Sequence, residues 1–225
     1  MNAMDARSDH ALLMDRIYRY QRRFGIYDAT RKYYLLGRDP MIASLAPPAG
    51  GTVLEIGCGT GRNLVQAARR YPETHFHGID ISSEMLAAAG DAISSAGLRG
   101  RVRLACADAA TFDPRLTFGS ESYDRIFISY AVSMIPQWRA VMAEASRRLA
   151  PGGELHVADF GDMAGLPASF RSAVYSWLRL HHVAPREDLF ETAAGIAEAV
   201  GGATQERRLH RGFSWISVIR RPAAA

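Results

Sequence analysis

The chain reads as an α/β protein built on a doubly wound parallel sheet with helices on both faces, and three observations predict this. Short runs of β-branched and aliphatic residues alternate with helical patterns through the middle of the sequence. One of these runs enters a glycine-rich turn and then a helix, in Thr52-Val-Leu-Glu-Ile-Gly-Cys-Gly-Thr-Gly-Arg-Asn63. With 225 residues, 48% of them hydrophobic, the chain has material for one domain-sized core. No stretch reaches the roughly 18 consecutive apolar residues of a membrane span.

The elements follow in order. Residues 12–36 read as helix in two segments broken near Gly25, because Leu13, Ile17, Tyr20 and Phe24 form one stripe of 3.6-residue period. Residues 40–51 form a connector, with Pro47-Pro48 and Gly50-Gly51 as breakers. Strand one spans 53–56 and its helix 63–70. Strand two, 75–80, is followed by a helix capped by Ser82 with Glu84 in its first turn. Strands three and four span 102–107 and 123–129. A helix over 138–149 leads through Pro151-Gly152-Gly153 to strand five at 154–158. Phe170, Val174, Trp177 and His181 step by four, three and four, which predicts a helix over 169–181. A further helix covers 188–200, stopped by Gly201-Gly202, and two closing strands are expected at 207–213 and 215–219.

The glycine turn carries the chemistry. Gly57, Gly59 and Gly61 let backbone approach a ligand, with Cys58 between them, and the helix that follows aims its free N–H groups back at the turn. That is a nucleotide-type cofactor pocket. The dinucleotide fingerprint needs a glycine where Arg62 stands, and Glu55 puts a carboxylate just before the turn, which suits a cation better than a pyrophosphate. About twenty residues further on, Asp80 ends strand two, where a carboxylate accepts ribose hydroxyls or initiates a turn.

Composition narrows the rest. Cys58 and Cys106 are neither a disulfide framework nor a metal set, which fits a reducing cytoplasm. The first ten residues hold two aspartates and no apolar core of a secretory signal. The net charge is +4, but Arg16, Arg19, Arg22, Arg23, Arg31, Lys32 and Arg38 crowd the N-terminal segment. Such a cluster meets nucleic acid, an anionic membrane or plain solvent. His75/His77 and His181/His182 have no nearby carboxylates in a ligand spacing, so no metal is expected.

With Glu55, the three glycines and Asp80 in this arrangement, the chain resembles the class I S-adenosylmethionine (SAM) methyltransferases. The resemblance implies a Rossmann-like seven-stranded sheet of order 3-2-1-4-5-7-6. It places Asp108 at the adenine amino group and the Ala109 N–H at the ring, though Asp108 alone reads equally as a turn residue. Ile81 and Met85 would line adenine or simply pack the core. Ser129 opens the stretch after strand four, Ser129-Tyr-Ala-Val-Ser-Met-Ile-Pro136. That stretch lacks the Asn/Asp-Pro-Pro-aromatic motif of DNA amino-methylases and the acidic metal ligand of catechol-type enzymes. No Pro-Cys dipeptide of cytosine-C5 enzymes occurs, and no nucleic-acid partner is expected.

A narrower resemblance rests on Ile26-Tyr-Asp-Ala-Thr-Arg-Lys-Tyr-Tyr-Leu-Leu-Gly-Arg38, on residues 129–136, and on Ala158-Asp-Phe-Gly-Asp162 with the 177–186 region. These stretches are similar to the bacterial diacylglycerylhomoserine N-methyltransferases of betaine-lipid synthesis. The resemblance implies a lipid amine as acceptor, up to three transfers, and a trimethylammonium product. Phosphatidylethanolamine, a quinone precursor, or a SAM-binding module without turnover are the alternatives. Tyr27, Tyr33, Tyr34 and Tyr130 are candidates to face the ammonium. Tyr130 is placed to orient the amine, and Arg31 or Arg38 to bind a substrate carboxylate. Residues 1–46 then form a helical lid and substrate segment, and 47–225 the SAM-binding core. The basic helix and the Phe170/Trp177 helix are expected to meet the inner face of the membrane peripherally.

Overall fold

The computed structural model describes residues 34–181 and 183–224. The expected helices between 12 and 33 therefore lie outside the described residues, as do Tyr27, Arg31, Tyr33 and the arginines from Arg16 to Arg23.

Seven strands form one sheet in the order β3-β2-β1-β4-β5-β7-β6. They are β1 Thr52–Ile56, β2 His75–Asp80, β3 Val102–Cys106, β4 Tyr123–Ser129, β5 Leu149–Phe160, β6 Ala203–Leu209 and β7 Ser214–Arg220. β1 to β5 run parallel, and β7 lies antiparallel between β5 and β6. β1 is central, and its four residues from Val53 to Ile56 are all buried because helices cover both faces. Chain order reverses between β1 and β4, so a crevice opens at their carboxyl ends.

On one face lie α1 Arg38–Ser44, α2 Arg62–Arg70 and α3 Ser83–Ser95. Met41, Ile42, Leu64, Ala67 and Ile93 from these helices pack on Val53, Phe76 and Phe127. The other face carries α4 Pro114–Phe118, α5 Trp138–Arg147 and α7 Leu189–Ala199. There Trp138, Val141, Phe190 and Ala193 meet Leu54, Ile56, Ile126 and Ile128. The remaining helix, α6 Ala168–Leu180, belongs to neither face. It lays Leu178 on Leu35, Tyr130, Phe160 and Met163 at the carboxyl ends of β4 and β5.

The expected alternation, the positions of β1 to β4 and the strand order stand. Four details differ. Part of the 40–51 connector is helix α1, which tolerates Pro40 because a first-turn residue has no intrahelical N–H bond to lose. α4 was not expected; it starts on an Asp113 cap with Pro114 at its first position. The sixth strand begins at Ala203 rather than 207 and stops at Leu209. His210 and Arg211 adopt positive φ (51° and 59°) and turn the chain, so 210–212 cannot continue a strand. β5 starts at Leu149, where the expected helix would still have been running.

A buried charge cluster under α1 has a consequence for acid stability. His156 is 1% exposed and its Nε2 lies 2.9 Å from Glu154 Oε2, while Arg220 Nε donates to Glu154 Oε1 at 2.7 Å. The hydrogen bond from His156, then that from Arg220, holds the Glu154 carboxyl down at about 2. Burial keeps His156 neutral by lowering its pKa, and its Nδ1 has no hydrogen-bond partner among the described residues. Both groups have depressed folded-state pKa values, so both stabilise the fold at neutral pH and lose that contribution on acidification. The His156 part fades as pH falls below its ordinary value of 6.5. The Glu154 part fades between 4.5 and about 2, and is worth up to about 3 kcal/mol. Urea titrations across pH 3–7 should show the steepest loss below 4.5, and Glu154→Gln should flatten that limb. A Gln variant with the parent's acid profile would show the cluster to be inert.

Candidate active site

The crevice at the end of β1 is shaped by the glycine turn. Gly57, Gly59 and Gly61 all have positive φ (74°, 53° and 75°). A Cβ at Gly57 would stand 2.8 Å from the Ala131 side chain, and one at Gly61 would press on Ala89 at 3.0 Å. The turn thus lies directly against α3 on one side and the β4 loop on the other. Gly57 and Cys58 both donate N–H to the Ile79 carbonyl at 2.9 Å, locking the turn to β2. The Cys58 side chain packs into the sheet core, so only its backbone faces the crevice.

Two carboxylates flank the turn. Asp80 is buried, and its Oδ2 accepts from Gly59 N at 2.8 Å while Oδ1 accepts from Ser82 N at 2.9 Å. It therefore holds the turn and the start of α3 together. Glu55 is fully buried. Its Oε1 accepts from Asn63 Nδ2 at 2.8 Å, and its Oε2 has no hydrogen-bond partner among the described residues. Burial first, and then the Asp80 charge, push the Glu55 carboxyl well above the usual range, against the hydrogen bond from Asn63 and the pull of Arg38 and Arg62. An unpartnered buried oxygen costs several kcal/mol unless a ligand donates to it.

The other expected residues divide by position. Ser129 ends β4 with its Oγ buried and without a partner among the described residues. Asp108 and Ala109 are half-buried in the turn after β3, where Asp108 Oδ1 accepts from Ala110 N at 2.9 Å and shapes the loop. Ile81 is half-buried and Met85 fully buried. Arg38 is buried at the start of α1, where Glu55 and Tyr130 both feel its charge. Asn63 was not singled out, although a polar residue in the first turn of α2, eight residues beyond Glu55, was a signal for it.

Tyr130 stands at the end of β4 with φ of 53°, a left-handed conformation that strains a bulky residue. Its hydroxyl accepts from Gly37 N at 3.1 Å and lies 2.8 Å from Ser214 Oγ, while its ring meets Phe160 edge-on at 4.8 Å. Burial pushes its phenol up to about 12. Tyr130 thus ties the segment entering α1 to the sheet through its hydroxyl. Tyr130→Phe should cost about 1–3 kcal/mol of stability by stranding the buried Gly37 N–H. A denaturation midpoint equal to the parent's would contradict the anchoring.

Residues 53–153 match the family described as a methyltransferase domain. In that region, from β1 to the first residues of β5, the chain is similar to methyltransferase domains. Similar curated proteins include a phosphatidylethanolamine N-methyltransferase of Cereibacter sphaeroides, 32% identical over 63% of this chain and 66% of that protein. Methyltransferase GfsG of Streptomyces halstedii is 37% identical over 49% and 38% of the two chains. The UbiE quinone-biosynthesis C-methyltransferase of Dinoroseobacter shibae is 30% identical over 56% and 49%. The chain thus spans between 38% and 66% of these relatives' lengths. Among solved structures, an O-methyltransferase family protein of Burkholderia thailandensis superposes with a TM-score of 0.67 at 22% identity, over 88% of this chain and 60% of that one. A Haemonchus contortus phosphoethanolamine N-methyltransferase, solved with phosphomonomethylethanolamine and S-adenosylhomocysteine, superposes at 0.65 and 19% identity, over 83% and 52%. At these identities the likeness is one of fold. The matched methyltransferase domain ends before most of β5, so α1, α6 and β7 around Tyr130 lie outside it.

Proposed function

We propose that this chain is a SAM-dependent methyltransferase acting on the amine of a membrane glycerolipid headgroup. The observation that carries the cofactor reading is the buried, unpartnered Glu55 Oε2 beside a turn of three positive-φ glycines. Bound SAM supplies an electrophilic methyl on a sulfonium. Glu55 would take the cofactor's ammonium, Asp80 its ribose hydroxyls, and the loop 108–109 its adenine edge. The acceptor amine attacks in line, so placement does more than acid–base chemistry. It must be neutral to attack, and nearness to the sulfonium lowers its pKa. The ring faces of Tyr130 and Tyr34 are suited to methylated ammonium products. Tyr34 already packs edge-on against Trp177 at 4.9 Å.

Diacylglycerylhomoserine is the first acceptor to test, on the stretches at 26–38, 129–136 and 158–162. The likeness to a phosphatidylethanolamine N-methyltransferase favours that lipid as the second. Purified protein with SAM should form S-adenosylhomocysteine and a methylated lipid, read by mass spectrometry, with one of the two and not with a quinone precursor. No turnover with either lipid would reject the acceptor class, while SAM binding without any turnover would leave a binding module.

Membrane contact is part of this reading. Among the described residues no helix is long and apolar enough to cross a bilayer. α6 instead exposes Phe170, Trp177 and Leu180 at 51%, 38% and 77%, with Arg171 and Arg179 on the same helix. That suits peripheral binding to an anionic surface, such as the inner face of a cytoplasmic membrane. Phe170→Ser with Leu180→Ser should weaken sedimentation with anionic vesicles at least several-fold, and salt should weaken the parent. Unchanged binding in the double variant would remove α6 from the interface.

A further inference from the structure

The loop 130–136, which stands against the glycine turn through Ala131, is held from outside the methyltransferase match by two residues far apart in sequence. Asp159, at the carboxyl end of β5, is fully buried. It accepts from Ser133 N at 3.0 Å through Oδ2 and from Phe160 N at 2.7 Å through Oδ1. Arg186, in the connector between α6 and α7, forks across the same loop. Its Nε donates to the Val132 carbonyl at 3.0 Å and its Nη2 to the Ile135 carbonyl at 3.1 Å. One residue pair earlier in that connector, Ala184 N donates to the Ser133 carbonyl at 3.0 Å. The Arg186 guanidinium also lies over the Trp138 ring, 5.6 Å from its centre, and its charge acts on Asp159. Both ends of the connector are fixed: α6 packs Leu178 under Tyr130, and Arg139 bridges to Asp188.

A loop of this kind, free of helix or strand, would ordinarily leave its carbonyls and amides to water. Here three of its carbonyls are claimed by one connector, and the Ser133 N–H by Asp159. We propose that Asp159 and Arg186 are positioning residues which press the 130–136 loop against the Gly57 turn, so that the connector after α6 sets the shape of the wall shared by cofactor and acceptor. A planar guanidinium suits this task because its fork reaches two carbonyls at once, which an ammonium cannot do. The proposal rests on the cofactor reading of the glycine turn.

S-adenosylhomocysteine is the probe, so that no acceptor need be known. In the parent, amide hydrogen exchange over 131–135 should be slow and become slower on binding. Arg186→Met should speed exchange in that loop at least tenfold, leave the exchange of β1 and β4 unchanged, and weaken S-adenosylhomocysteine about tenfold by calorimetry. Arg186→Lys, which is less disruptive to folding, should fall between the two, and Asp159→Asn combined with Arg186→Met should lose less than the sum of the two single effects. Loop exchange and affinity that stay at parent values in both Arg186 variants would overturn the proposal. A parent protein that does not bind S-adenosylhomocysteine at all would instead overturn the cofactor reading beneath it.

Discussion

Asp80→Ala is expected to weaken SAM binding on the order of 100-fold. Two effects combine. The carboxylate would accept ribose hydroxyls, and each such charged hydrogen bond is worth about 1.5–3 kcal/mol. It also accepts the N–H groups of Gly59 and Ser82, so its removal releases the turn that shapes the crevice. The fold itself should survive, because neither Gly59 nor Ser82 lies within a strand. Asp80→Asn keeps one acceptor and should fall between the two. Calorimetric titration with SAM and S-adenosylhomocysteine, beside a thermal scan, separates binding from folding. Parent-like affinity in Asp80→Ala would mean that the ribose lies elsewhere.

The second large effect belongs to Glu55, and it is visible in pH. Burial raises its carboxyl well above the usual range in the free protein, and a bound cation would draw it back down. Cofactor binding should therefore expel a proton. Between the raised free value and the lowered bound value, affinity should rise with pH, by at most tenfold per unit. Glu55→Gln removes the titration: its affinity should be flat with pH, weaker than the parent in alkaline buffer, and convergent with it in acid. Its stability should also hold better as pH rises, because a carboxyl with a raised folded-state pKa costs stability once the unfolded chain ionises first. Titrations in two buffers of different ionisation enthalpy count the proton directly. Equal observed heats in the two buffers, meaning no proton released, would show that Glu55 is already ionised or does not meet the cation. The neighbours that act on it are Asp80, which resists ionisation, and Arg38 and Arg62, which favour it.

The balance between Asp80 and Glu55 also bears on how much of the site could be read in advance. Asp80, Glu55 and the glycines were legible because their evidence is local. Positive φ, a strand end and a helix start all fall within a few residues of one another. Their partners were less so. Asn63 lies only eight positions from Glu55, yet its pairing depends on how α2 leans on β1. Tyr130 was expected to meet an acceptor amine with both its phenol and its ring face. The fold commits that hydroxyl to Gly37 and Ser214, which lie 93 and 84 positions away. Arg31 or Arg38 was expected at a substrate carboxylate; Arg31 lies outside the described residues, and Arg38 is buried where Glu55 feels its charge.

The sequence by itself determined the alternation of strands and helices, the glycine turn and the two carboxylates beside it. These follow from side-chain periodicity and backbone sterics, which a short window of residues carries whole. It also determined the order in which the elements come, and hence which fold they could make. Only the tertiary structure decided that Pro40 opens a helix, that 210–212 turn rather than extend, and which buried polar groups find each other. Asp159 reaches Ser133 across 26 positions and Arg186 reaches Val132 across 54. A buried donor must be satisfied, but chemistry alone does not say by whom. That choice is made when the sheet closes and brings distant segments to one edge.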